Sequence, residues 1–585
     1  MKRPEIWVPR GLGAHPRASG TVFRVFSTEA KVVEVQIYSA PDVKGERRAL
    51  RLVADHTFEL EWPGITAGAL YQFIVDGETR PDPFAHFLPF GVHGPAEVIE
   101  PDYSYRCDAP PPPASRVIYE IHVGTFTKEG TYRAAERHLE ELRELGITTI
   151  ELMPLAAFPG RHGWGYDGVA GFAPFAPYGR PEDLKHFVDT AHGLGLEVLL
   201  DVVYNHFGPD GNYLGAYSSR YFDPDIETPW GQAPRFTDPA MRSYALESAL
   251  YWLGEYRFDG LRFDACHQIH DSSPLHIIGE IREQARSRAE YFFVAEDERN
   301  DPRELERMGV DAVWADDFHH VVHCLLTGEK DGYYAAYAPE PSQLARVIER
   351  GFLYEGQPFV DGSPRGQPAD RMAPESFIYC LQNHDQVGNR PWGSRLHHVC
   401  DPSSYRAASA LLLFLPMTPL LFMGQEWAAS SPFCYFTDHE PQLGKAVSEG
   451  RRKEFASFTK FKGTEIPDPQ AESTFKKSQV DWDERTQKGH REVLDLYRGL
   501  LELRRHDPVL SKPGVREDLK AEVNEDALVV RRRAGAEERI FVWNFGTARP
   551  VSDFPVGALL LATEPLEEGY LAGHSAAIFR GAERH

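Results

Sequence analysis

Apolar and polar residues alternate along the first part of the chain, from Thr21 to Asp76. The segments TVFRVFS, VVEVQIYS and ALYQFIVDG have the period of two that is typical of half-buried β-strands, and Gly, Pro and Asp residues separate them. This pattern predicts a small β-sandwich at residues 1–108. Consecutive prolines follow at 110–113. Because proline fixes extended backbone and lacks an amide hydrogen, we expect a stiff spacer and a domain boundary there.

After the spacer, the pattern changes to short apolar segments separated by helical stretches. Strands that are apolar on both faces and alternate with helices are typical of parallel sheets. Eight such units predict an α/β fold, a closed (β/α)8 TIM barrel with loop insertions at residues 109–510. From about Val515 the alternation returns and predicts a C-terminal β-domain at 511–585. The eight candidate strands are Val117–Thr125, Thr148–Leu155, Leu196–Val203, Gly260–Ala265, Phe292–Glu296, Val310–Trp314, Ser376–Leu381 and Pro419–Met423.

The composition and charge of the chain argue against some classes of binding partner. The 585 residues carry a formal net charge of −24, which argues against nucleic acid or an anionic membrane and favours a neutral substrate. The longest apolar run, Ala410 to Met423, contains two prolines and falls short of a membrane span, and the N-terminus resembles no signal peptide. The six cysteines are scattered without a CxxC pair, which predicts reduced thiols, no zinc site and a cytoplasmic protein. The oligomeric state stays open.

Polar residues follow four of the predicted barrel strands. Side chains at the carboxyl ends of parallel barrel strands converge on one open face, so we expect these residues to lie together. Carboxylates, an arginine and histidines without a metal or phosphate motif suit cleavage of an acetal better than phosphoryl or hydride transfer. The residues are Asp201, Asn205 and His206 after the third strand, Arg262, Asp264 and His267 at the fourth, Glu296–Glu298 at the fifth, and Asn383–Asp385 after the seventh.

Asp264 and Glu296 end adjacent strands, and retaining glycosidases need two carboxyl groups about 5–5.5 Å apart. The following Asp297 and Glu298 predict a raised pKa for Glu296, because like charges favour protonation. Arg262 points to the same face as Asp264 and is expected to keep it ionised. A single such carboxylate is more often a helix cap or a solvated loop residue. Four correlated strand ends make the catalytic interpretation specific.

These strand ends resemble the four signature regions of the α-amylase family, glycoside hydrolase family 13. The matching segments are Asp201–His206, Gly260–Asp264, Ala295–Glu296 and Asn383–Asp385. The N-terminal sandwich is similar to the starch-binding-like module of branching and debranching enzymes. The resemblance implies that Asp264 is the nucleophile, Glu296 the general acid/base and Asp385 the transition-state stabiliser, with no cofactor and no metal. It also implies that five residues line subsite −1: Asp201, His206, Arg262, His384 and Tyr166.

Longer segments resemble the branch of the family that cleaves maltooligosyltrehalose and releases trehalose. The branching subfamily usually carries Gln after Trp-Gly-Tyr and Ser before His-Asp, whereas this chain has Asp167 and Asn383. A glycogen-branching enzyme, a general α-amylase and a non-catalytic glucan-binding protein remain alternatives. The segments are Glu151–Val169, Trp314–Glu329, Leu381–Asn389 and Gly450–Phe455.

Four further residues are candidates for substrate contact: Trp164, His267, Asp316 and His319. Trp164 lies in a Gly-rich loop, where it either stacks on a sugar or belongs to the loop core. Asp316 and His319 belong to an Asp-Asp-Phe-His-His segment, for which a sugar-hydroxyl site that recognises the trehalose end is favoured over a metal site. His267 follows Ala-Cys where many amylases carry Lys-His, so a +2 contact there stays open.

Overall fold

The computed structural model describes residues 11–54, 56–100, 103–456 and 466–582. Its centre is a closed barrel of eight parallel strands that pair in chain order, with the last strand pairing with the first. All eight predicted strands are therefore confirmed. The barrel strands are β1 (Ile118–Ile121), β2 (Thr149–Leu152), β3 (Glu197–Val202), β4 (Gly260–Phe263), β5 (Phe292–Glu296), β6 (Ala312–Trp314), β7 (Phe377–Cys380) and β8 (Thr418–Phe422).

Helices connect the barrel strands and cover the barrel. The helix before β3 begins at Pro181, has Glu182 and Asp183 in its first turn and ends at Gly193, as the sequence signals indicate. The helices are Val123–Phe126, Tyr132–Glu136, Leu139–Leu145, Pro181–Gly193, Leu214–Tyr217, Pro239–Glu255, Ile277–Arg286, Pro302–Met308, Asp316–Thr327, Pro341–Arg350, His384–Gly388, Leu396–Val399, Pro402–Phe414, Pro441–Ala456, Glu472–Lys477 and Lys488–His506.

The loops carry three small hairpins that the sequence pattern did not predict. They join Ala156–Ala157 with Ala170–Pro174, Phe222–Thr228 with Gly231–Pro234, and Gln357–Pro358 with Pro364–Arg365.

The N-terminal module, residues 11–100 of the described chain, forms two antiparallel sheets with a common core. This core also contains barrel-domain residues, among them Ala157, Val169 and Tyr217. The module is therefore packed into the catalytic domain. One sheet contains Gly13–Arg17, Gly20–Phe26, Thr57–Pro63 and Arg51–Ala54, and the other contains Val43–Ala49, Val33–Ala40, Leu70–Val75 and Glu78–Arg80, with Ala96–Glu97 beside Leu70–Val75.

The C-terminal domain is a five-stranded antiparallel sheet beside a two-stranded one. Residues 103–117, which include the prolines, contain neither a helix nor a strand. The exact domain boundaries at 108/109 and 510/511 stay predictions. In sheet order the five strands are Leu519–Asn524, Ala527–Ala534, Glu537–Asn544, Ala576–Gly581 and Val556–Ala562; the short pair is Arg549–Pro550 with Tyr570–Leu571.

All six cysteines lie in the described residues as free thiols, and four of them are buried. Among the described residues, no helix has the length and apolar character to cross a membrane.

Candidate active site

Arg262 lies at the centre of the polar cluster at the carboxyl ends of the barrel strands. Its side chain is fully buried and contacts carboxylates from three neighbouring strands. Nη1 donates to Asp201 Oδ2 at 2.7 Å and to Asp264 Oδ1 at 2.9 Å, and Nη2 donates to Glu296 Oε2 at 2.7 Å. One guanidinium thus holds Asp264 and Glu296 next to each other, which suits the separation of about 5 Å in retaining glycosidases.

The carboxylates differ in their access to solvent. The side chain of Asp201 is 2% exposed, whereas Asp264 is 13%, Glu296 is 20% and Asp385 is 34% exposed. Asn205 donates to Asp264 Oδ2 at 2.7 Å and so fixes this carboxylate from the side of β3. Asp264, Glu296 and Asp385 are therefore accessible to a ligand at the barrel mouth, whereas Asp201 and Arg262 are buried beneath them.

Burial is the main cause of a raised pKa for Glu296. Arg262 opposes this shift, and the charge of Asp264 adds to it. The pKa of Glu296 is thus shifted in the predicted direction. The predicted cause, the charges of Asp297 and Glu298, is wrong, because Asp297 is paired with Arg299 and Glu298 points to solvent. The Ala265 amide donates to Glu296 Oε2 at 2.9 Å, and Ala265 has a left-handed φ of 38°. A carboxyl with a raised pKa is suited to act as a general acid.

Tyr166 connects two sides of the barrel mouth. Its hydroxyl donates to Asp201 Oδ2 at 2.6 Å and lies 2.8 Å from His384 Nε2, and its ring stacks on the His384 ring. Burial raises the pKa of Asp201 to about 7, although Arg262 and the Tyr166 hydroxyl oppose the shift. The half-buried Tyr166 ring thus lies in the floor of the site, where the resemblance places it.

His384 is held by Glu120, a residue that the sequence reasoning missed. His384 Nδ1 donates to Glu120 Oε1 at 2.5 Å, and the His384 amide donates to Glu120 Oε2 at 3.0 Å. Burial lowers the pKa of His384, but the charges of Asp385 and Glu120 outweigh it and raise the pKa to about 10. The ring is therefore an imidazolium at neutral pH, with Asp385 Oδ2 3.4 Å from its Nε2.

We expect Glu120→Gln to lower the pKa of His384, because it removes a charge that favours the imidazolium. A folded pKa above the unfolded value of 6.5 contributes stability that is fully present below pH 6.5 and is lost as the pH rises toward about 10. The variant should therefore unfold at a lower temperature than the wild type near pH 6, with a difference that shrinks toward pH 10. Thermal unfolding across this pH range measures both quantities.

Glu151→Gln is the matched control. Glu151 is also a buried barrel-strand carboxyl, and neither of its oxygens has a hydrogen-bond partner among the described residues. Burial, with the charge of Glu120, raises the pKa of Glu151 well above its usual value, so the uncharged Gln has the charge of the form that burial favours. The same pH-dependent difference in both variants would contradict the role given to Glu120.

Trp164 lies in the core of the loop after β2. It is buried, its indole N–H donates to the Cys434 carbonyl at 3.0 Å, and its ring stacks on Phe433. A side chain at the next residue, Gly165, would place a Cβ 2.3 Å from the Pro154 carbonyl oxygen, and the φ of Gly165 is +102°. This placement fits the loop-core alternative, in which Trp164 supports His384 by an edge contact and Tyr166 alone reaches the site.

His206 and His267, which follow the third and fourth strands, lie at different depths. His206 is buried, with its Nε2 2.9 Å from the Tyr166 carbonyl, and burial lowers its pKa to about 4. Trp230, 43% exposed, stacks on its ring with centroids 3.9 Å apart. His267 is half-buried, with Nε2 3.5 Å from the exposed Glu298. His206 therefore supports the loop of Tyr166 from within the barrel mouth, and His267 lies at the solvent-exposed edge of the mouth.

Asp316 and His319 occupy one helix but differ in position. Asp316 begins the helix after β6, and its Oδ1 accepts from Gln386, the residue after Asp385, at 3.4 Å, so Asp316 lies at the site. Burial raises the pKa of Asp316 to about 7, and the charges of Glu296 and Asp385 add to this shift. His319 is buried with Nδ1 2.5 Å from the Leu381 carbonyl and Nε2 3.1 Å from the Tyr334 hydroxyl. Both of its ring nitrogens are used by the protein, and neither remains for a sugar hydroxyl.

The sequence did not predict three features of the site: Glu120, the contact of Asn205 with Asp264, and Trp230. An acidic residue inside the apolar segment VIYEI was a usable signal for Glu120, since a buried carboxylate requires a partner. No signal distinguished Trp230 from a core tryptophan. Among the described residues, no group of three His, Cys, Asp or Glu side chains has the arrangement of a metal site.

Family models match three parts of the chain. A model described as the alpha amylase catalytic domain matches residues 118–225. A model of carbohydrate-binding module 48, described as the isoamylase N-terminal domain, matches residues 11–86, and a domain of unknown function, DUF3459, matches residues 517–578.

Full-length similarity extends over the whole architecture. A malto-oligosyltrehalose trehalohydrolase from Deinococcus radiodurans is 48% identical over 94% of this chain and 93% of its own. One from a Rhizobium species is 40% identical over 84% of this chain and 86% of its own. The crystal structure of a candidate alpha amylase from Salmonella typhimurium superposes with a TM-score of 0.90 at 37% identity, covering 98% of this chain and 100% of that one.

Proposed function

Since the chain belongs to the malto-oligosyltrehalose trehalohydrolase family, within the α-amylase group of glycoside hydrolases, we propose that its substrate is maltooligosyltrehalose. It is a glycoside hydrolase that cleaves the α-1,4-glucosidic bond next to the terminal trehalose. The products are trehalose and a maltooligosaccharide. The six free cysteines support a cytoplasmic location.

The observation that carries the mechanism is the contact of Arg262 with both Asp264 and Glu296. This arrangement places a carboxyl with a raised pKa beside a second carboxylate at an open barrel mouth. Retaining hydrolysis of an α-glucoside requires that pair and no cofactor. The geometry therefore supports Asp264 as nucleophile and Glu296 as general acid/base.

In the first step, Glu296 donates its proton to the glycosidic oxygen, and the Asp264 carboxylate attacks the anomeric carbon. Trehalose leaves with the proton, and the maltooligosaccharide is bound covalently to Asp264. Positive charge develops on the sugar ring in the transition state, and the carboxylates of Asp264 and Asp385 stabilise it. His384 and Tyr166 position Asp385 and the glucose ring, through the contacts described above.

In the second step, the Glu296 carboxylate removes a proton from water, and the resulting hydroxide attacks the anomeric carbon. The bond to Asp264 breaks, the maltooligosaccharide leaves with its anomeric configuration retained, and Glu296 is protonated again. Asp201 and Arg262 remain beneath the sugar and hold the two reacting carboxyl groups in place.

Product analysis tests this function. Purified protein is incubated with maltotriosyltrehalose and, separately, with maltopentaose, and the products are separated by chromatography. We expect free trehalose from the first substrate and little cleavage of the second. Equal cleavage of both would support a general α-amylase, and longer or branched products would support a branching enzyme.

In the same assay, Asp316→Ala is expected to reduce the preference for the trehalose-ended substrate. The charge of Glu296 acts on Asp316, and the hydrogen bond that Asp316 Oδ1 accepts from Gln386 is long, at 3.4 Å, so we assign this carboxyl group to the trehalose end of the substrate. A lost hydrogen bond to a substrate hydroxyl costs about tenfold or more in discrimination. The ratio of the cleavage rates of the two substrates measures the effect. Asp331→Ala, in the loop that follows the Asp316–Thr327 helix, is the control. An unchanged ratio in Asp316→Ala would contradict the assignment.

A further inference from the structure

A groove of about 630 Å³ lies between the N-terminal module and the loops that follow β2 and β8. Its volume is in the range of small-molecule sites. The module contributes residues 88–93, including Phe90, which is 48% exposed. The barrel loops contribute polar groups: Arg161, Asp210, Asp438 and His439. An exposed aromatic ring surrounded by hydroxyl-binding groups is the chemistry that recognises a neutral sugar.

The groove is linked to the catalytic centre through Asp167, which follows the site residue Tyr166 in the chain. Glu296 protonates the departing oxygen, so trehalose lies toward Glu296 and Asp316, and the rest of the substrate lies toward Asp201 and Tyr166. Asp167 follows Tyr166 in the chain, and its Oδ2 is 3.6 Å from Nε2 of His439, which lines the groove. The Nδ1 of His439 is buried without a hydrogen-bond partner among the described residues. Asp167 therefore lies between the site residue Tyr166 and the wall of the groove.

The module segment that lines the groove is fixed to the barrel. His93 Nε2 is 3.1 Å from Asp210 Oδ1, and His93 Nδ1 is 2.8 Å from the Tyr213 hydroxyl. Val92 packs so closely on Gly211 that a Cβ there would be 2.4 Å from its side chain. Phe90 is thus presented by a segment that is positioned before any ligand binds, which lowers the entropy cost of binding.

We propose that this groove binds the maltooligosaccharide arm of the substrate several glucose units from the cleaved bond, and that the N-terminal module supplies one wall of that distal subsite. This inference rests on the proposed function, because it needs an α-1,4-glucan as the substrate. It assigns to the module a part in selecting substrates by chain length. Phe90 stacks on a glucose ring. Arg161, whose Nε donates to Asp438 Oδ2 at 3.1 Å, is held by this pair and directs its terminal N–H groups to the hydroxyl groups of the sugar.

The test compares maltosyltrehalose, which is too short to fill the groove, with maltopentaosyltrehalose, which extends into it. Phe90→Ala and Arg161→Ala should each raise KM for the long substrate about 5- to 10-fold and leave kcat unchanged, because ground-state and transition-state binding are lost together. KM for the short substrate should change less than about twofold. Leu52→Ala, at a 64% exposed residue elsewhere on the module, is the matched control.

An equal rise in KM for both lengths, no rise for the long substrate, or the same rise in Leu52→Ala would overturn the inference. Calorimetric binding of maltotriose and maltoheptaose to Asp264→Asn, with and without Phe90→Ala, separates this outcome from failure of the proposed function. Weaker binding of maltoheptaose alone would support the groove even for an enzyme that released no trehalose. Equal binding of maltoheptaose with and without Phe90→Ala would contradict it.

Discussion

Asp264→Asn should abolish turnover of maltooligosyltrehalose, with kcat reduced on the order of 10⁴- to 10⁶-fold and KM nearly unchanged. The amide keeps the size of the carboxylate and retains a hydrogen-bonding oxygen, but it is not a nucleophile toward the anomeric carbon. Release of trehalose measured over long incubations gives kcat. Turnover within about 100-fold of the wild type would refute the assigned role.

Stability distinguishes this chemical loss from misfolding. Arg262 bears one positive charge and contacts Asp201, Asp264 and Glu296. Asp201 remains next to Arg262 as a counterion, and the amide keeps an oxygen that can accept from the guanidinium, so Asp264→Asn should keep a Tm close to that of the wild type. A clearly lower Tm would mean that Asp264 contributes to the fold, and the kinetic loss would then need a second explanation.

Glu296→Ala is expected to reduce kcat by about 10²- to 10⁴-fold on maltooligosyltrehalose, because the leaving sugar departs without a proton. A substrate with a fluoride leaving group, such as α-maltosyl fluoride, needs no acid in its first step and should retain far more of that step. Its glycosyl-enzyme should then accumulate, since no base activates water. Added azide, which needs no base, should restore turnover and yield a glycosyl azide of retained configuration.

The pH profile provides an independent measurement. Glu296 must be protonated in the first step, so kcat/KM of the wild type should fall at alkaline pH, and the raised pKa of Glu296 displaces this fall upward from the range of an ordinary glutamate. Glu296→Gln should lose that alkaline limb. Glu298→Gln, at a side chain 63% exposed two residues later, is the control and should keep both the rate and the profile. Absence of azide rescue with an unchanged pH profile would exclude Glu296 as the acid/base.

The sequence was sufficient to predict the barrel because parallel strands that are buried on both faces are predominantly apolar, and single charged residues such as Glu120 and Arg262 do not hide this pattern. Each of the eight segments, from Ile118–Ile121 to Thr418–Phe422, is a strand of the closed barrel. The small hairpins, such as Phe222–Thr228 with Gly231–Pro234, were not predictable in this way. The strands Phe222–Thr228 and Gly231–Pro234 are largely exposed, so no hydrophobic period marks them, whereas Ala156–Ala157 is too short to show a period.

The site was predictable where function follows from position at a strand end, as for Asp264, Glu296 and Arg262. It was not predictable where a side chain depends on a partner that is distant in the chain. Glu120 and His384 are 264 residues apart, and only the closure of the barrel brings them into contact. The pKa of Glu296 is likewise raised mainly by burial, which depends on the folded structure and cannot be read from the residues next to Glu296 in the sequence.

The shared core of the N-terminal module and the barrel loops makes the two a single cooperative unit. Ala157, Val169 and Tyr217 are buried in this shared core, and removing the module at the proline spacer would expose apolar surface to water. In this chain, the carbohydrate-binding module is part of the scaffold that supports the conformation of the loop after β2. A substitution in the face of the module that contacts the barrel loops should therefore disturb the catalytic domain as well as the module.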